Sequence, residues 1–246
     1  MEKNRILHIS NLHKAFDNKK VIDGVDLSLF MDENLVVLGK SGTGKSVIMK
    51  CIVRLMEPDA GSINVFDTDV LNCNERELNE IRNRIGYLFQ EGAMYDSMTV
   101  RENLLFPVKR NSTLRKLSEK EQEDLVIKNL EDVELLDAID KIPAELSGGM
   151  KKRAGLARTL MLSPEMIIYD EPTTGLDPYT AGAINDLIVK VSEKNDTSAI
   201  IITHDIKCAK VTGDRIIILN EGKIIARGTF DELKKSTDER VLLFFN

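Results

Sequence analysis

Residues 35–46 read LVVLGKSGTGKS: four aliphatic side chains in a row, then glycines at 39, 42 and 44, then Lys45 and Ser46. No other stretch constrains the fold as tightly. The aliphatic run lacks the apolar–polar alternation of a half-exposed strand, so it predicts a parallel strand covered by other structure on both faces. The spacing G-x-x-x-x-G-K-S, placed after such a strand and opening a helix, predicts a loop whose backbone N–H groups curl around a phosphate. The positive end of the helix dipole would stand behind it. Gly39, Lys40, Ser41, Gly42, Thr43, Gly44, Lys45, Ser46 and Val47 are the candidate loop residues. Lys45 is placed to reach β- and γ-phosphates, and the Ser46 hydroxyl to ligate Mg²⁺.

MIIYDEP at 166–172 supplies a second half for such a site. Four apolar residues of a strand deliver Asp170 to its C-terminal edge, where ligands of open α/β sheets bind. Asp170 would hold Mg²⁺ through water, and Glu171 would orient or deprotonate a water attacking the γ-phosphate in line. A GTPase would need a guanine-reading N-K-x-D, and the chain has none.

Further unalternating runs, GYLF at 86–89, AIIIT at 199–203 and IIIL at 216–219, predict companion strands. Helical periodicity follows Lys45, with Ile48, Cys51, Ile52 and Leu55 on one face before Pro58, and recurs in EDLVIKNLEDVELL, with Val126, Leu130 and Val133 in register. The first thirty residues alternate better and carry a DG turn, which predicts an antiparallel N-terminal β subdomain. From about 91 to 162 strand signals stop and helical ones dominate. The predicted class is therefore α/β, one domain over 1–246, with a mainly parallel core sheet, an inserted α-helical subdomain at 91–162 and a short C-terminal tail at 236–246. That tail ends VLLFFN, an apolar patch expected to cover a second copy or a partner.

Composition narrows the function. Forty acidic against thirty-four basic residues, net −6, argue against a broad nucleic-acid footprint. No apolar run approaches the roughly 20 residues that span a bilayer, and the charged opening MEKNRILHISN predicts no export signal. Three cysteines without CxxC spacing suit a reducing compartment, so the expected location is cytoplasmic.

ELSGGMKKRAGLART at 145–159 breaks local rules: two glycines and three cations stand where a helix begins, and both weaken it. Ser147 is a good N-cap, and Gly148 and Gly149 would let a bulky anion approach backbone N–H groups. Lys151, Lys152 and Arg153 are expected to be a solvated face.

With these residues in view, the chain resembles the nucleotide-binding subunits of ABC transporters over nearly its whole length. The resemblance rests on the phosphate loop, LSGGM as the signature, FQ with Gln90, DE at 170–171, GLDP with Asp177, and THD with His204. It implies a phosphate-loop ABC-type nucleotide-binding fold, ATP and Mg²⁺ as ligands, and ATP hydrolysis with Glu171, His204 and Gln90 as catalytic residues. It also implies Ser46, Gln90 and Asp170 at the metal and Phe16 stacked on adenine. A head-to-tail homodimer is implied as well, in which Ser147, Gly148, Gly149 and Asp177 of one chain close on ATP held by the other. Met150, where the signature usually has glutamine, departs from the pattern. LSGGMKKRAGLAR together with LFQEGAMYDSMTVRENLLFP is similar to the ATPases of Mla-type phospholipid transport systems. That implies a separate membrane permease and an MCE-domain lipid-binding protein as partners, and a peripheral place on the cytoplasmic face of the inner membrane. Met94, Tyr95, Met98, Leu105 and Phe106 are the candidate permease groove. Another cargo, a soluble repair or translation ATPase, and a weakly hydrolysing regulatory module are the competing readings.

Overall fold

The computed structural model describes residues 4–17 and 19–245; the first three residues, position 18 and the terminal Asn246 of the expected tail lie outside them. In chain order, a long antiparallel hairpin of β1 (Arg5–Phe16) and β2 (Lys19–Phe30) is followed by β3 (Asn34–Leu38) and α1 (Lys45–Ile52). Then come β4 (Ala60–Val65), β5 (Thr68–Asp69), α2 (Glu75–Arg84) and β6 (Ile85–Leu88). The next strand begins only at Met166. Between lie α3 (Val100–Arg110), α4 (Glu119–Asp132) and α5 (Gly148–Leu160), linked by loops and short 3₁₀ turns. The chain then alternates through β7 (Met166–Asp170), α6 (Pro178–Asn195), β8 (Ser198–Thr203), α7 (Ile206–Thr212) and β9 (Arg215–Asn220). It closes with β10 (Lys223–Gly228), α8 (Phe230–Lys234) and α9 (Glu239–Leu242).

Two sheets result. The N-terminal one is antiparallel, in the order β2-β1-β4-β5; the other runs β10-β9-β3-β8-β7-β6 and is parallel except for β10 on β9. The missing alternation in the central strands now has its cause. Val36, Leu38, Ile167, Tyr169, Ile201 and Ile218 point into a core shared with the helices, while Leu35, Val37, Ile168, Ile200, Ile202 and Leu219 point into a second core shared with the antiparallel sheet and α1. Both faces are dry, so every position is apolar. Truncating one of these isoleucines to alanine costs about 2–5 kcal/mol.

Helix α1 takes its start from the phosphate loop. Its N-cap, Gly44, has φ 99°, and a Cβ there would lie 2.6 Å from Ile22 Cδ1 and 2.7 Å from the Val21 carbonyl. Only glycine fits that turn. The helix ends at Ile52, earlier than the expected face through Leu55. Arg54 turns the chain at φ 49° with its guanidinium donating to the Val70 and Cys73 carbonyls, and Leu55 is left exposed.

The C-terminal tail also differs from expectation. Val241 is buried, Phe244 and Phe245 pack on the chain's own core, and the Phe245 ring meets Phe230 edge-on at 5.3 Å. Of the described tail, Leu243 alone among the large apolar residues is strongly exposed. The chain's own α8 and β10 thus cover Val241 and part of Leu242, Phe244 and Phe245.

Candidate nucleotide site

The carboxyl ends of β3, β8, β7 and β6 lie side by side, and the ladder continues past the strands: Gly39 N donates to the Thr203 carbonyl at 3.2 Å and Glu171 N to the Ile202 carbonyl at 3.0 Å. These two bonds fix the phosphate loop and the DE pair in one frame. Lys45 is buried, its Nζ donating to the carbonyls of Gly39 at 2.7 Å and Lys40 at 2.9 Å and lying 3.3 Å from Glu171 Oε1. The ammonium is thus held at the mouth of the loop by two carbonyls of the loop itself and by the Glu171 carboxylate.

Glu171 has φ 50°, a left-handed conformation that glutamate seldom adopts and that turns its side chain back over the loop. Its Oε2 lies 2.7 Å from His204 Nδ1 and accepts from Thr174 Oγ1 at 3.2 Å. Glu171, His204 and Lys45, drawn from three distant stretches of sequence, therefore converge on one carboxylate. The neighbouring Asp170 accepts from Ser46 Oγ at 3.0 Å on Oδ1 and from the Tyr87 hydroxyl at 3.2 Å on Oδ2. Burial, then the Asp170 charge, push the Tyr87 phenol well above its usual range and keep it a donor.

Among the described residues, no cluster of three His, Cys, Asp or Glu side chains could hold a metal by itself. Ser46 and Asp170 offer hard oxygen donors 3.0 Å apart. That set fits Mg²⁺, which is bound by one or two carboxylates together with substrate phosphates.

The second group of expected residues lies apart from the first. Ser147 caps α5, accepting from Met150 N at 3.3 Å, and is exposed with Gly148. Among the described residues no hydrogen bond or ion pair joins 147–149 to the phosphate loop. Asp177 caps α6, accepting from Tyr179 N and Thr180 N at 3.0 Å each. These hydrogen bonds, that of Thr180 foremost, hold its carboxyl below the usual range. Gln90 is exposed beside a cavity of about 440 Å³ that Gly148, Lys152, Thr174 and Leu176 also line. Phe16 presents an exposed ring where the β1–β2 hairpin turns; Val21, on the returning strand, backs Gly44.

Two expectations around α5 need correction, and Gly149 gains a constraint within its own chain. A Cβ on Gly149 would stand 2.5 Å from Thr180 Cγ2, so this glycine is required by the close approach of the chain's own α6. Lys152 is no surface cation: it is 6% exposed, and its Nζ donates to the Gln90 carbonyl and, at 3.3 Å, to the Glu171 carbonyl. Arg153 also turns inward, to the Val133 carbonyl and Glu134. Lys151 alone of the three is exposed. Met150 is half-buried against the helical core, which accounts for an apolar side chain at that position. Of the expected groove, Met94 and Leu105 pack inward, while Tyr95 stays exposed with its ring 4.5 Å from Phe106. Tyr87, Thr174 and Lys152 are site residues the sequence reading did not single out. Tyr87 lies one strand over from the DE pair, and only the β6–β7 register reveals that it reaches Asp170.

A phosphate loop on a mainly parallel sheet, a DE pair at the next strand end but one and a histidine at the strand between define a phosphate-loop NTPase. The family model for ABC transporters matches residues 22–174, more than half of the chain, and the chain belongs to that family, as an ABC ATPase. It is 37% identical over 240 residues to the probable ribonucleotide transport ATP-binding protein mkl of Mycobacterium leprae, covering 98% of this chain and 68% of that one. Counterparts of that relative in other mycobacteria are spanned over 66% of their length. It is 34% identical to the intermembrane phospholipid transport system ATP-binding protein MlaF of Haemophilus influenzae, over 97% of this chain and 89% of that one. Among solved structures, the dimeric post-hydrolysis state of the ATP-binding cassette MJ0796 with ADP and Pi superimposes with a TM-score of 0.82 at 28% identity. It covers 91% of this chain and 98% of the other.

Proposed function

We propose that this chain is the ATP-hydrolysing subunit of a phospholipid transporter of the bacterial envelope, working as a homodimer beneath a separate permease and with an MCE-domain lipid carrier. The observation that carries the catalytic part is the convergence of Lys45, His204 and Thr174 on the Glu171 carboxylate beside Asp170 and Ser46. The lipid cargo draws its support from the similarity to MlaF over nearly the whole of both chains.

In this reading the phosphates enter the loop at 39–47 and Lys45 exchanges its carbonyl and Glu171 partners for β- and γ-phosphate oxygens. That exchange frees Glu171 Oε1 to accept a proton from water. The water oxygen bonds to the γ-phosphorus as the bond to the bridging oxygen breaks, giving ADP and inorganic phosphate. His204 holds Glu171 in place through Oε2 and reaches toward the γ-phosphate. Ser46, Asp170 and Gln90 would hold Mg²⁺, which supplies charge neutralisation of the phosphates when bound. Phe16 stacks on adenine. Ser147, Gly148, Gly149 and Asp177 close over the nucleotide of the partner copy, and Tyr95 and Phe106 face the permease. Among the described residues no helix is long and apolar enough to cross a membrane, in keeping with a separate permease.

The name of the mycobacterial relative supports a second cargo, ribonucleotides. Reconstitution of the complex in liposomes decides between them: ATP-dependent transfer of a fluorescent phospholipid is expected, abolished by Glu171→Gln. Transfer of nucleotides with no lipid movement would contradict the lipid assignment.

A further inference from the structure

The Lys152 ammonium sits on α5 beneath two strand ends. It bonds the helix that begins at Ser147 to the loops carrying Gln90 and Glu171, while Arg158, farther along the helix, donates to the Ala93 carbonyl of the first of these loops. Burying it is unfavourable in itself: desolvation lowers its pKa, against the opposing pull of the Asp170, Glu171 and Glu91 charges. A helix surface position that served only solubility would have no reason to bear that cost. The two acceptors are main-chain carbonyls at the ends of neighbouring strands, β6 and β7. One of them belongs to Glu171, whose left-handed backbone needs support from its surroundings. Packing makes the arrangement tight. A Cβ on Gly155 would come within 3.0 Å of the Gly92 carbonyl, and one on Gly92 within 3.2 Å of the Lys151 carbonyl, so the loop after Gln90 lies directly on α5.

We propose that Lys152 is a positioning residue for ATP hydrolysis: its ammonium clamps the backbone of Glu171 and of Gln90 to α5, so that the Glu171 carboxylate is aimed at the attacking water only while α5 is seated. The clamp works within one chain. The helix whose Ser147 end serves the partner's nucleotide is therefore bonded to the backbone that carries its own catalytic carboxylate, and displacement of α5 is felt at Glu171. The inference rests on the catalytic assignment of Glu171 made above, and it adds a residue outside the six family motifs.

Lys152→Met keeps the length of the side chain and removes its donors. Single-turnover hydrolysis of radiolabelled ATP is measured for wild type, Lys152→Met, Glu171→Gln and the double variant, alongside binding of a fluorescent ATP analogue. Lys152→Met is expected to slow hydrolysis about 10- to 100-fold, the scale of a misplaced reacting group, with analogue affinity within about twofold. On the Glu171→Gln background the same substitution is expected to cost less than about twofold, because the proposed effect on the rate runs through the aim of the Glu171 carboxylate and not through Gln90. An equal loss on both backgrounds, an unchanged rate, or a parallel loss of nucleotide binding overturns the proposal. If Glu171→Gln itself hydrolyses ATP at the wild-type rate, the catalytic assignment falls instead.

Discussion

Glu171 Oε2 lies 2.7 Å from Nδ1 of His204, although 33 residues separate the two in sequence. The contact follows from strand order: β7 and β8 are parallel neighbours, so the residues leaving them come together. His204→Ala removes one of the groups that hold the carboxylate and leaves Thr174 and Lys45. A fall in kcat of about 10²-fold with little change in the KM for ATP is expected from steady-state assays, in the range of a general-base defect. A rise in KM at constant kcat would place His204 in binding alone.

Tyr87 gives a second expectation. Its hydroxyl donates to the Asp170 oxygen that Ser46 does not contact, so it sets the orientation of the candidate metal carboxylate. Tyr87→Phe should raise the Mg²⁺ concentration for half-maximal ATPase activity about 10-fold, as outer-shell partners do. Titration of activity against Mg²⁺ at saturating ATP reads this directly. An unchanged midpoint would show the hydroxyl to be irrelevant to the metal.

Gly149 is constrained by Thr180 Cγ2, 2.5 Å from where its Cβ would stand. Gly149→Ala should therefore destabilise the fold by about 1–3 kcal/mol, the usual cost of overpacking, and lower Tm by roughly 2–10 °C for a chain of this size. Adding Thr180→Ser, which deletes the offending methyl, should restore most of the loss. Thermal unfolding of the three variants checks this; a double variant as unstable as the single would mean the clash lies elsewhere.

Burial raises the Cys208 thiol to about 12. A folded pKa above the unfolded one, near 8.5, contributes stability that is complete below about pH 8.5 and is lost as pH rises toward 12. Cys208→Ala removes that dependence. The stability gap between wild type and variant should shrink by up to about 1.4 kcal/mol per pH unit above 8.5. Denaturant unfolding at pH 8 and pH 10 measures it, and a constant gap would contradict the burial of the thiol.

Much of this architecture was legible because the strongest signals are local. LVVL, MIIY and the AIII of 199–202 are apolar at every position because both sheet faces are covered, and Gly44 is glycine because Val21 and Ile22 leave no room. Lys152 was misread for the opposite reason. Three consecutive cations look like a wet helix face until β6 and β7 place two carbonyls beneath one of them. The apolar tail reports only that something must cover it, and the fold alone reveals that Phe230 and the adjoining core cover Phe245 and part of its neighbours. Leu55 failed at a helix end set by Arg54 and its distant carbonyl partners, which periodicity does not register.

The central claim is that the exposed turn at Ser147 in one copy closes over the phosphate loop of another. Ser41 and Ser147 are both exposed, and Ser41→Cys with Ser147→Cys places one thiol on each side of that contact. Background crosslinking is low, since Cys51 and Cys208 are buried with thiols raised to about 11 and about 12, and Cys73 is replaced by serine. On the Glu171→Gln background with ATP and Mg²⁺, a short bismaleimide should join the two positions across chains, giving a covalent dimer that is absent without nucleotide. A chain that binds ATP yet yields no crosslinked dimer, or crosslinks equally without nucleotide, would contradict the account.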